Sequence, residues 1–177
     1  TAIKVGLFSE TGNLVKLASR EQGLIIPAPG LVEQCLLTTW GLICEATHEV
    51  TKDFNSSQII AISLSCQRGS VIPLDKNGEP LTNMIVWMDH RGLSQVNHLK
   101  DIIGNENYYK ISGHPLVPIT GISKVLWLYN EASQVREKTA YICPPQTYFL
   151  KKLGGEDFIT DTSTGSYHFP CDISRKI

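Results

Sequence analysis

The stretch that decides the fold is residues 58–91, QIIAISLSCQRGSVIPLDKNGEPLTNMIVWMDHR. It opens with residues 59–64, an apolar run rich in β-branched side chains, and this composition predicts a strand buried on both faces. Polar residues follow the run at once, among them Gln67, Arg68 and Gly69. Open α/β sheets bind ligands outside the carboxyl ends of their strands, so this position predicts a small-ligand site.

A predicted hairpin follows the first polar cluster. Residues 71–74 form its first strand and residues 84–87 its return strand. The turn at residues 75–78 contains Asn-Gly, which is a strong hairpin signal between apolar runs. The hairpin would bring a second polar cluster, residues 89–91, to the same end of the sheet as residues 67–69.

The first cluster contains three groups suited to ligand binding. Arg68 has five fixed donors, which suit several hydroxyl or carboxylate oxygens at once, and the alternative is an ordinary surface arginine. Gly69 would let a ligand approach the backbone, and the alternative is a simple β-turn. Gln67 adds a carboxamide to the predicted site.

Three acidic residues have two interpretations each. Asp89 could accept hydrogen bonds from ligand hydroxyls or pair with Arg91 on the surface. Asp161 could line the same cleft or cap a loop. Glu33 precedes a predicted helix, where it could lie in the first turn and be stabilised by the helix dipole, or have a supporting role near the pocket.

Composition excludes several classes of protein. The chain has 177 residues, of which 42% are hydrophobic and 19% charged, and this suits one domain with a core. The net charge is -1 and no basic block occurs, so a nucleic-acid or anionic-membrane partner is unsupported. No run is long enough to span a membrane, and no signal peptide opens the chain.

The cysteines indicate a reducing compartment and no metal site. There are five, an odd number, and they are scattered without a C-x-x-C pair. Reduced thiols in a cytoplasmic protein are the simplest interpretation. The five histidines are also unclustered, which argues against zinc.

The remaining elements flank this central stretch. Residues 1–8 and 14–24 form a predicted hairpin, and a helix is expected to start at Val32 or Glu33. Its apolar stripe is predicted at positions 36, 40, 43, 47, 50 and 54, which makes Trp40 a core residue. A second helix is predicted over Leu93–Ile103, where Gly104 follows.

Several of these pieces, in this order, resemble the amino-terminal domain of the FGGY carbohydrate kinases. The pieces are the strand that ends near Gln67-Arg68, then PLDKNGEPL at residues 73–81 and IVWMDHR at residues 85–91. Three further segments fit in the right order: residues 29–34, residues 112–115 with 124–127, and residues 160–163 with 169–173. The resemblance covers nearly the whole chain.

The resemblance implies a fold and a reaction. The fold is α/β and ribonuclease H-like, as in the actin and hexokinase superfamily, with a mixed sheet flanked by helices. The reaction is ATP-dependent transfer of a phosphoryl group, with Mg²⁺, to a primary hydroxyl of a sugar or polyol. Ile119 stands where glycerol kinases have a tyrosine that touches the substrate, so a longer sugar, a pentulose such as xylulose, is expected.

The resemblance also implies which residues form the site. The sugar-binding wall would consist of Gln67, Arg68, Gly69, Trp87 and Asp89. Trp87 would stack on the apolar face of the sugar, or else pack in the core. No catalytic residue is expected in this chain, because the family's catalytic aspartate lies beyond position 177.

By the same comparison the chain is a partial domain. The first strand with its phosphate-gripping loop would precede Thr1, which with Lys4 would flank that loop, and the nucleotide-binding domain would follow residue 177. The chain alone is then expected to be inactive, and the unpaired strand edge at residues 3–8 predicts self-association, for example as a homodimer. The rival hypothesis is a non-catalytic sugar-binding or interaction domain derived from a kinase.

Overall fold

The structure, a computed structural model, describes residues 2–169 and 171–174. The chain divides into two compact units, unit 1 with residues 1–24 and 34–64 and unit 2 with residues 25–33 and 65–177. The strands are β1 (Ala2–Phe8), β2 (Leu14–Glu21), β3 (Glu33–Gln34), β4 (Ile72–Leu74), β5 (Met84–Ile85) and β6 (Tyr141–Cys143). The helices are α1 (Leu36–Thr51), α2 (Leu93–Ile103), α3 (Asn105–Ser112), α4 (Gly121–Glu131), α5 (Ser133–Arg136), α6 (Pro145–Lys152) and α7 (Thr162–His168), with a 3-10 turn at Ser56–Gln58.

Unit 1 is a hairpin covered by one helix. Strands β1 and β2 pair antiparallel with Val5 opposite Ala18, which confirms the predicted hairpin. Ala18 packs with Ala46 and Val50 of α1, and Val5 and Leu7 lie against this cluster. Small side chains on both sides let the helix lie close to the strands, and this contact decides which face of α1 is buried.

That face differs from the predicted one. Helix α1 begins at Leu36, later than expected, so Glu33 does not lie in its first turn. Thr47 is exposed, and Phe54 is 40% exposed beyond the end of the helix. The buried positions of α1 are Leu36, Thr39, Ala46 and Val50. Trp40 is half-buried at the margin of this stripe, so the prediction that it is a core residue holds only in part.

The predicted buried strand at residues 59–64 is wrong for this structure. The segment has no strand assignment, and Ile60 and Ile62 are 88% and 68% exposed. A strand exists only where its amide and carbonyl groups meet those of a neighbouring strand. Among the described residues, the one backbone hydrogen bond of this segment is the 3.1 Å bond from the Ile59 amide to Ser56.

Unit 2 contains the predicted second hairpin. Val71 and Ile85 exchange both of their backbone hydrogen bonds, at 2.8 and 3.0 Å, which confirms the pairing of the two runs. The turn is closed by Asp75, whose Oδ1 accepts from the amides of Asn77 and Glu79 at 2.8 and 2.9 Å. The Asp75 carboxylate thus accepts hydrogen bonds from the amides of the turn, as expected of an aspartate at the first position of a turn.

Small sheets replace the one mixed sheet that was expected. Strand β4 pairs antiparallel with β6, and its middle residue opposite Ile142 is Pro73. Because proline has no amide hydrogen, such a strand cannot extend a continuous ladder. Over the described residues, the strands form two-stranded sheets in a mixed arrangement of helices and strands.

The core of unit 2 lies around α4. Val71, Ile85 and Leu128 form one buried cluster, and Val125 packs against it. Another buried cluster consists of Val96, Tyr108, Leu116 and Ile122, and Val125 packs against this one too. Helix α2, which supplies Val96, has the predicted bounds. No helix within residues 2–169 and 171–174 is both long and apolar enough to cross a membrane.

Candidate functional site

Gly69 brings three segments of unit 2 together. Its φ is +78°, and a Cβ at this position would overlap the carbonyl oxygen of Ile119. The same Cβ would lie 3.3 Å from the Cβ of Trp87 and 3.1 Å from the ring of Tyr167. The protein's own packing therefore requires a glycine here, and it draws the segments that carry residues 87, 119 and 167 around the end of the 67–70 loop.

We expect Gly69→Ala to destabilise the protein by about 1–3 kcal/mol, because the new methyl group meets a backbone oxygen that cannot yield. The positive φ adds strain for any residue with a Cβ. The measurement is urea unfolding, with Gly30→Ala as the control. Gly30 also has a positive φ, but nothing lies within 4 Å of its hypothetical Cβ. Equal losses in the two variants would show that close packing at Gly69 is unimportant.

Arg68 lies exposed at the surface of this convergence. Its guanidinium stacks over the ring of Tyr167, 5.1 Å from the ring centroid, and Nη1 lies 3.4 Å from Oγ of Ser163. One long hydrogen bond and one cation–π contact hold the group against α7. The exposed guanidinium retains donors for a ligand, so the structure is compatible with the binding role and with the surface role.

Gln67 and Trp87 are two further residues of the predicted site. Gln67 is half-buried, and its Nε2 lies 3.7 Å from Sδ of Met84. Trp87 is 39% exposed, and its amide donates to Oγ of Ser70 at 3.1 Å. The indole is thus anchored through its backbone while part of its ring faces solvent, where a ligand could stack on it.

Asp89 is buried in an ionic network. Its exposure is 0%, and Oδ1 accepts from both the amide and Nε of Arg91 at 2.8 Å. Its Oδ2 accepts from the amide of Val32 at 2.6 Å and from Nη2 of Arg91 at 2.8 Å. Of the two predicted roles for Asp89, the structure shows the pairing with Arg91, although inside the protein and not on its surface. A direct contact with a ligand hydroxyl does not fit this burial.

Arg91 extends the network to Glu33. Its Nη2 donates to Oε1 of Glu33 at 2.7 Å, and the guanidinium lies 4.8 Å from the ring centroid of Trp127. Burial works to lower the pKa of Arg91, and its hydrogen bonds to Asp89 and Glu33 outweigh burial, so the pKa is raised. Arg91 therefore stays charged, and Glu33 has the supporting role that the sequence left open.

Helix α7 forms the far side of the convergence and begins at a capping aspartate. Asp161 accepts from the amide and the hydroxyl of Thr164, at 2.9 and 2.7 Å, and from Nε2 of Gln146 at 3.0 Å. Hydrogen bonds from the Thr164 hydroxyl and amide lower the pKa of Asp161. Of its two predicted roles, the structure shows the cap.

His168 ties the end of α7 to the loop that carries Arg68. It is buried, and its ring nitrogens Nδ1 and Nε2 each lie 2.8 Å from a carbonyl oxygen, of Thr164 and Ser70 respectively. Burial lowers the pKa of His168, and the two carbonyl partners act in the opposite direction. The imidazole thus fixes Ser70 and, through its neighbours, the position of Arg68.

Sequence reasoning missed Tyr167, His168 and Lys124. The first two were missed because no helix was predicted over the polar run at residues 161–166. The sequence does contain a signal for this helix, because Asp161 stands three residues before Thr164. An aspartate that caps a helix accepts a hydrogen bond from the amide at that position. For Lys124, the signal was its spacing of four from buried Leu128, which places both on one face of α4.

Thr1 and Lys4 are the two residues predicted to flank a phosphate loop. Thr1 lies outside the described residues. Lys4 is exposed in β1. Across residues 2–169 and 171–174, no three histidine, cysteine or carboxylate side chains cluster as metal ligands would. The role of Lys4 beside a phosphate loop stays a prediction.

Comparisons with known proteins agree with this picture. The chain is 31% identical to the gluconokinase of Bacillus subtilis over 166 residues, which cover 94% of the chain and 32% of that protein. It is 33% identical to the glycerol kinase of Aquifex aeolicus over 181 residues, covering 99% of the chain and 36% of that protein. Among solved structures, a ligand-bound xylulose kinase from Lactobacillus acidophilus superposes with a TM-score of 0.88 at 28% identity, covering 95% of the chain and 34% of that structure.

These matches determine the family. The chain spans about one-third of the length of the curated relatives, 32% and 36% in the two cases above. The sequence profile of the amino-terminal domain of the FGGY family of carbohydrate kinases matches residues 1–176, nearly the full length of the chain. The chain therefore belongs to the FGGY family of carbohydrate kinases.

Proposed function

We propose that this chain provides much of the sugar-binding wall of a carbohydrate kinase that phosphorylates a primary hydroxyl of a sugar or polyol. The observation that carries the proposal is the convergence around Gly69, where Arg68, half-exposed Trp87 and Tyr167 meet. An arginine fork and an aromatic face together suit a polyhydroxylated ligand, because hydroxyl oxygens accept from the fork while carbon-bound hydrogens pack on the ring.

The residues divide into contacts and supports. We assign Gln67, Arg68 and Trp87 to direct contact with the sugar. Gly69 and Asp89 belong to the same site as supports, Gly69 by admitting Ile119 and Asp89 by holding Arg91. A pentulose such as xylulose is the first candidate substrate, because half-buried Ile119 offers no hydroxyl to a small polyol.

The phosphoryl donor in this proposal is ATP with Mg²⁺, which would neutralise charge on the transferred group. Thr1 and Lys4 would flank the phosphate-binding loop, and the fold would be ribonuclease H-like, as in the actin and hexokinase superfamily. No catalytic base is assigned to this chain. Buried Asp89 is engaged by Arg91 and capping Asp161 by Thr164, so neither is suited to accept a proton from a sugar hydroxyl.

We also infer the setting in which the protein works. All five cysteines are free, which suits the reducing cytoplasm. The net charge of -1 offers no attraction for nucleic acid or an anionic membrane. Strand β1 pairs with β2 alone among the described strands, so its other edge is a candidate surface for a homodimer.

The test is ADP release by the full-length product of the gene that encodes this chain, measured against xylulose, ribulose, glycerol and gluconate. We expect one of these to raise ADP release well above the rate with ATP alone. The 177-residue chain assayed in parallel is expected to release none, because phosphoryl transfer depends on positioning and charge stabilisation by the complete cleft.

The same experiment judges the rival function, a non-catalytic sugar-binding or interaction domain. Calorimetric titration of the full-length protein with each sugar separates the two. Sugar binding without ADP release would favour the rival. Neither binding nor turnover with any of the four compounds would remove the sugar-kinase proposal, and turnover by the 177-residue chain alone would show that the catalytic groups lie within it.

A further inference from the structure

Lys124 is fully buried, and no carboxylate among the described residues lies at hydrogen-bond distance from its ammonium group. It lies near the start of α4 with an exposure of 0%. Its Nζ lies 2.8 Å from the carbonyl oxygen of Pro118, 3.3 Å from that of Trp87 and 3.4 Å from that of Thr120. None of the ion pairs found within the described part of the chain includes Lys124. An ammonium group has three donors, and three backbone oxygens surround this one.

The positions of these three carbonyl groups suggest what the ammonium does. Pro118 and Thr120 enclose Ile119, whose own carbonyl packs against Gly69. The third carbonyl belongs to Trp87, the residue whose half-exposed indole lies in the candidate sugar site. One buried charge therefore joins the two backbone segments that border the 67–70 loop.

Holding this charge is costly. The pKa of Lys124 is lowered to about 8, mainly by burial. The negative charge of Asp89 opposes this shift, and the positive charge of Arg91 adds to it. The positive charge of Lys124 also helps to lower the pKa of His168. A leucine or methionine would fill the same space without a desolvation penalty, so packing alone does not explain a lysine here.

We propose that the protonated Lys124 is a positioning residue for the sugar site, where its ammonium holds the backbone of Trp87 against residues 118–120 and so fixes the place of the Trp87 indole that the sugar contacts. The inference rests on the proposed function and deepens it. Lys124 does not touch the sugar, since it has no exposed surface, and it acts through the main chain.

Protonation gives this role a distinctive signature. Between about pH 8 and the ordinary lysine pKa of about 10.4, the unfolded chain binds more protons at this group than the folded chain does, so Lys124 contributes increasing stability as pH rises. The positioning role predicts the opposite trend for sugar affinity. Once the amine loses a proton it loses a donor and its charge, and the three carbonyls are held less firmly.

The experiment compares wild type with Lys124→Met and Lys124→Arg in the full-length gene product, and Lys110→Met serves as a control at an exposed lysine. Calorimetry gives the affinity for whichever of xylulose, ribulose, glycerol and gluconate wild type binds best, and for ATP, between about pH 6.5 and about pH 9.5. We expect wild-type sugar affinity to fall above about pH 8. For Lys124→Met we expect an affinity about tenfold weaker at neutral pH and flat across the range, with Lys124→Arg in between. ATP affinity and Lys110→Met should not change.

A folded Lys124→Met variant with wild-type sugar affinity and an unchanged pH profile would overturn the inference. Should that variant not fold, the 177-residue wild-type chain decides, because ¹³C NMR of its lysine side chains reports each ammonium pKa. The fluorescence is followed in a Trp40→Phe/Trp127→Phe background, where Trp87 is the remaining tryptophan. A lysine that titrates near pH 8 while this fluorescence changes in step supports the inference, and titration of all lysines near 10.4 refutes it. Absence of sugar binding in wild type would instead count against the proposed function, and the NMR titration would still test how Lys124 holds Trp87.

Discussion

Replacing Asp89 with alanine is expected to lower the free energy of unfolding by about 3–5 kcal/mol, because it removes the carboxylate that makes most of the hydrogen bonds to a buried guanidinium. Asp89 accepts four hydrogen bonds, three from Arg91 and one from the amide of Val32. After the substitution, Arg91 keeps Glu33 as its one carboxylate partner, and the amide of Val32 loses its acceptor. Both losses occur in a largely buried network, where lost hydrogen bonds are expensive.

The measurement is equilibrium urea unfolding followed by tryptophan fluorescence, since Trp87 and Trp127 both lie in unit 2. Asp101→Ala is the matched control, because Asp101 is an exposed aspartate on α2 and its loss should cost less than about 0.5 kcal/mol. The double variant Asp89→Ala/Arg91→Met should lose less than the sum of its parts, since it removes the uncompensated charge. A single Asp89→Ala variant as stable as wild type would mean that the network contributes nothing.

Arg68→Ala in the full-length gene product is expected to weaken sugar affinity about ten- to a hundredfold, the equivalent of one charge-assisted hydrogen bond lost from a binding site. ATP affinity should change little, because the group lies at the predicted sugar wall. Folding stability should also stay nearly constant, since the side chain is exposed and its bond to Ser163 is 3.4 Å long.

The Arg68→Lys variant separates the contribution of the positive charge from that of the planar guanidinium. It keeps a positive charge but replaces the planar fork with a single ammonium, so we expect an affinity between those of wild type and Arg68→Ala. Calorimetric titration of each variant with sugar and with ATP checks these outcomes. An unchanged sugar affinity in Arg68→Ala would leave Arg68 as a surface residue that stacks on Tyr167 and nothing more.

Local patterns predicted much of the fold. The Asn-Gly turn between apolar runs identified the hairpin around residues 75–78, and the bounds of α2 followed from its apolar spacing and the glycine after it. Both features depend on residues that are close in sequence, which is where propensity and turn chemistry act most strongly. The resemblance to the family could also be recognised from the sequence, because it depends on several short segments that occur in a fixed order.

Features that depend on distant residues were harder to predict. The network around Asp89 joins Glu33 to Arg91 across 58 positions, and no local pattern tells a buried carboxylate from a ligand-binding one. In the sequence, Lys124 does not differ from any other lysine on a helix. Its contact with the carbonyl of Trp87 spans 37 positions and is visible only in the structure. The prediction of a buried strand at residues 59–64 was wrong because it relied on local composition alone. Their propensity for a strand is strong, but a strand also needs a neighbour to pair with, which composition cannot supply.

The exposed segment at residues 59–64 has a consequence for the protein in concentrated solution. Its six residues include no charge and no proline, and Ile60 and Ile62 face water. Short apolar runs of this kind pair readily with copies of themselves into cross-β assemblies. The net charge of -1 at pH 7 provides little colloidal repulsion between molecules that approach through this segment. We therefore expect this segment to promote association near neutral pH, and we expect alkaline buffers with low salt to oppose it by adding negative charge.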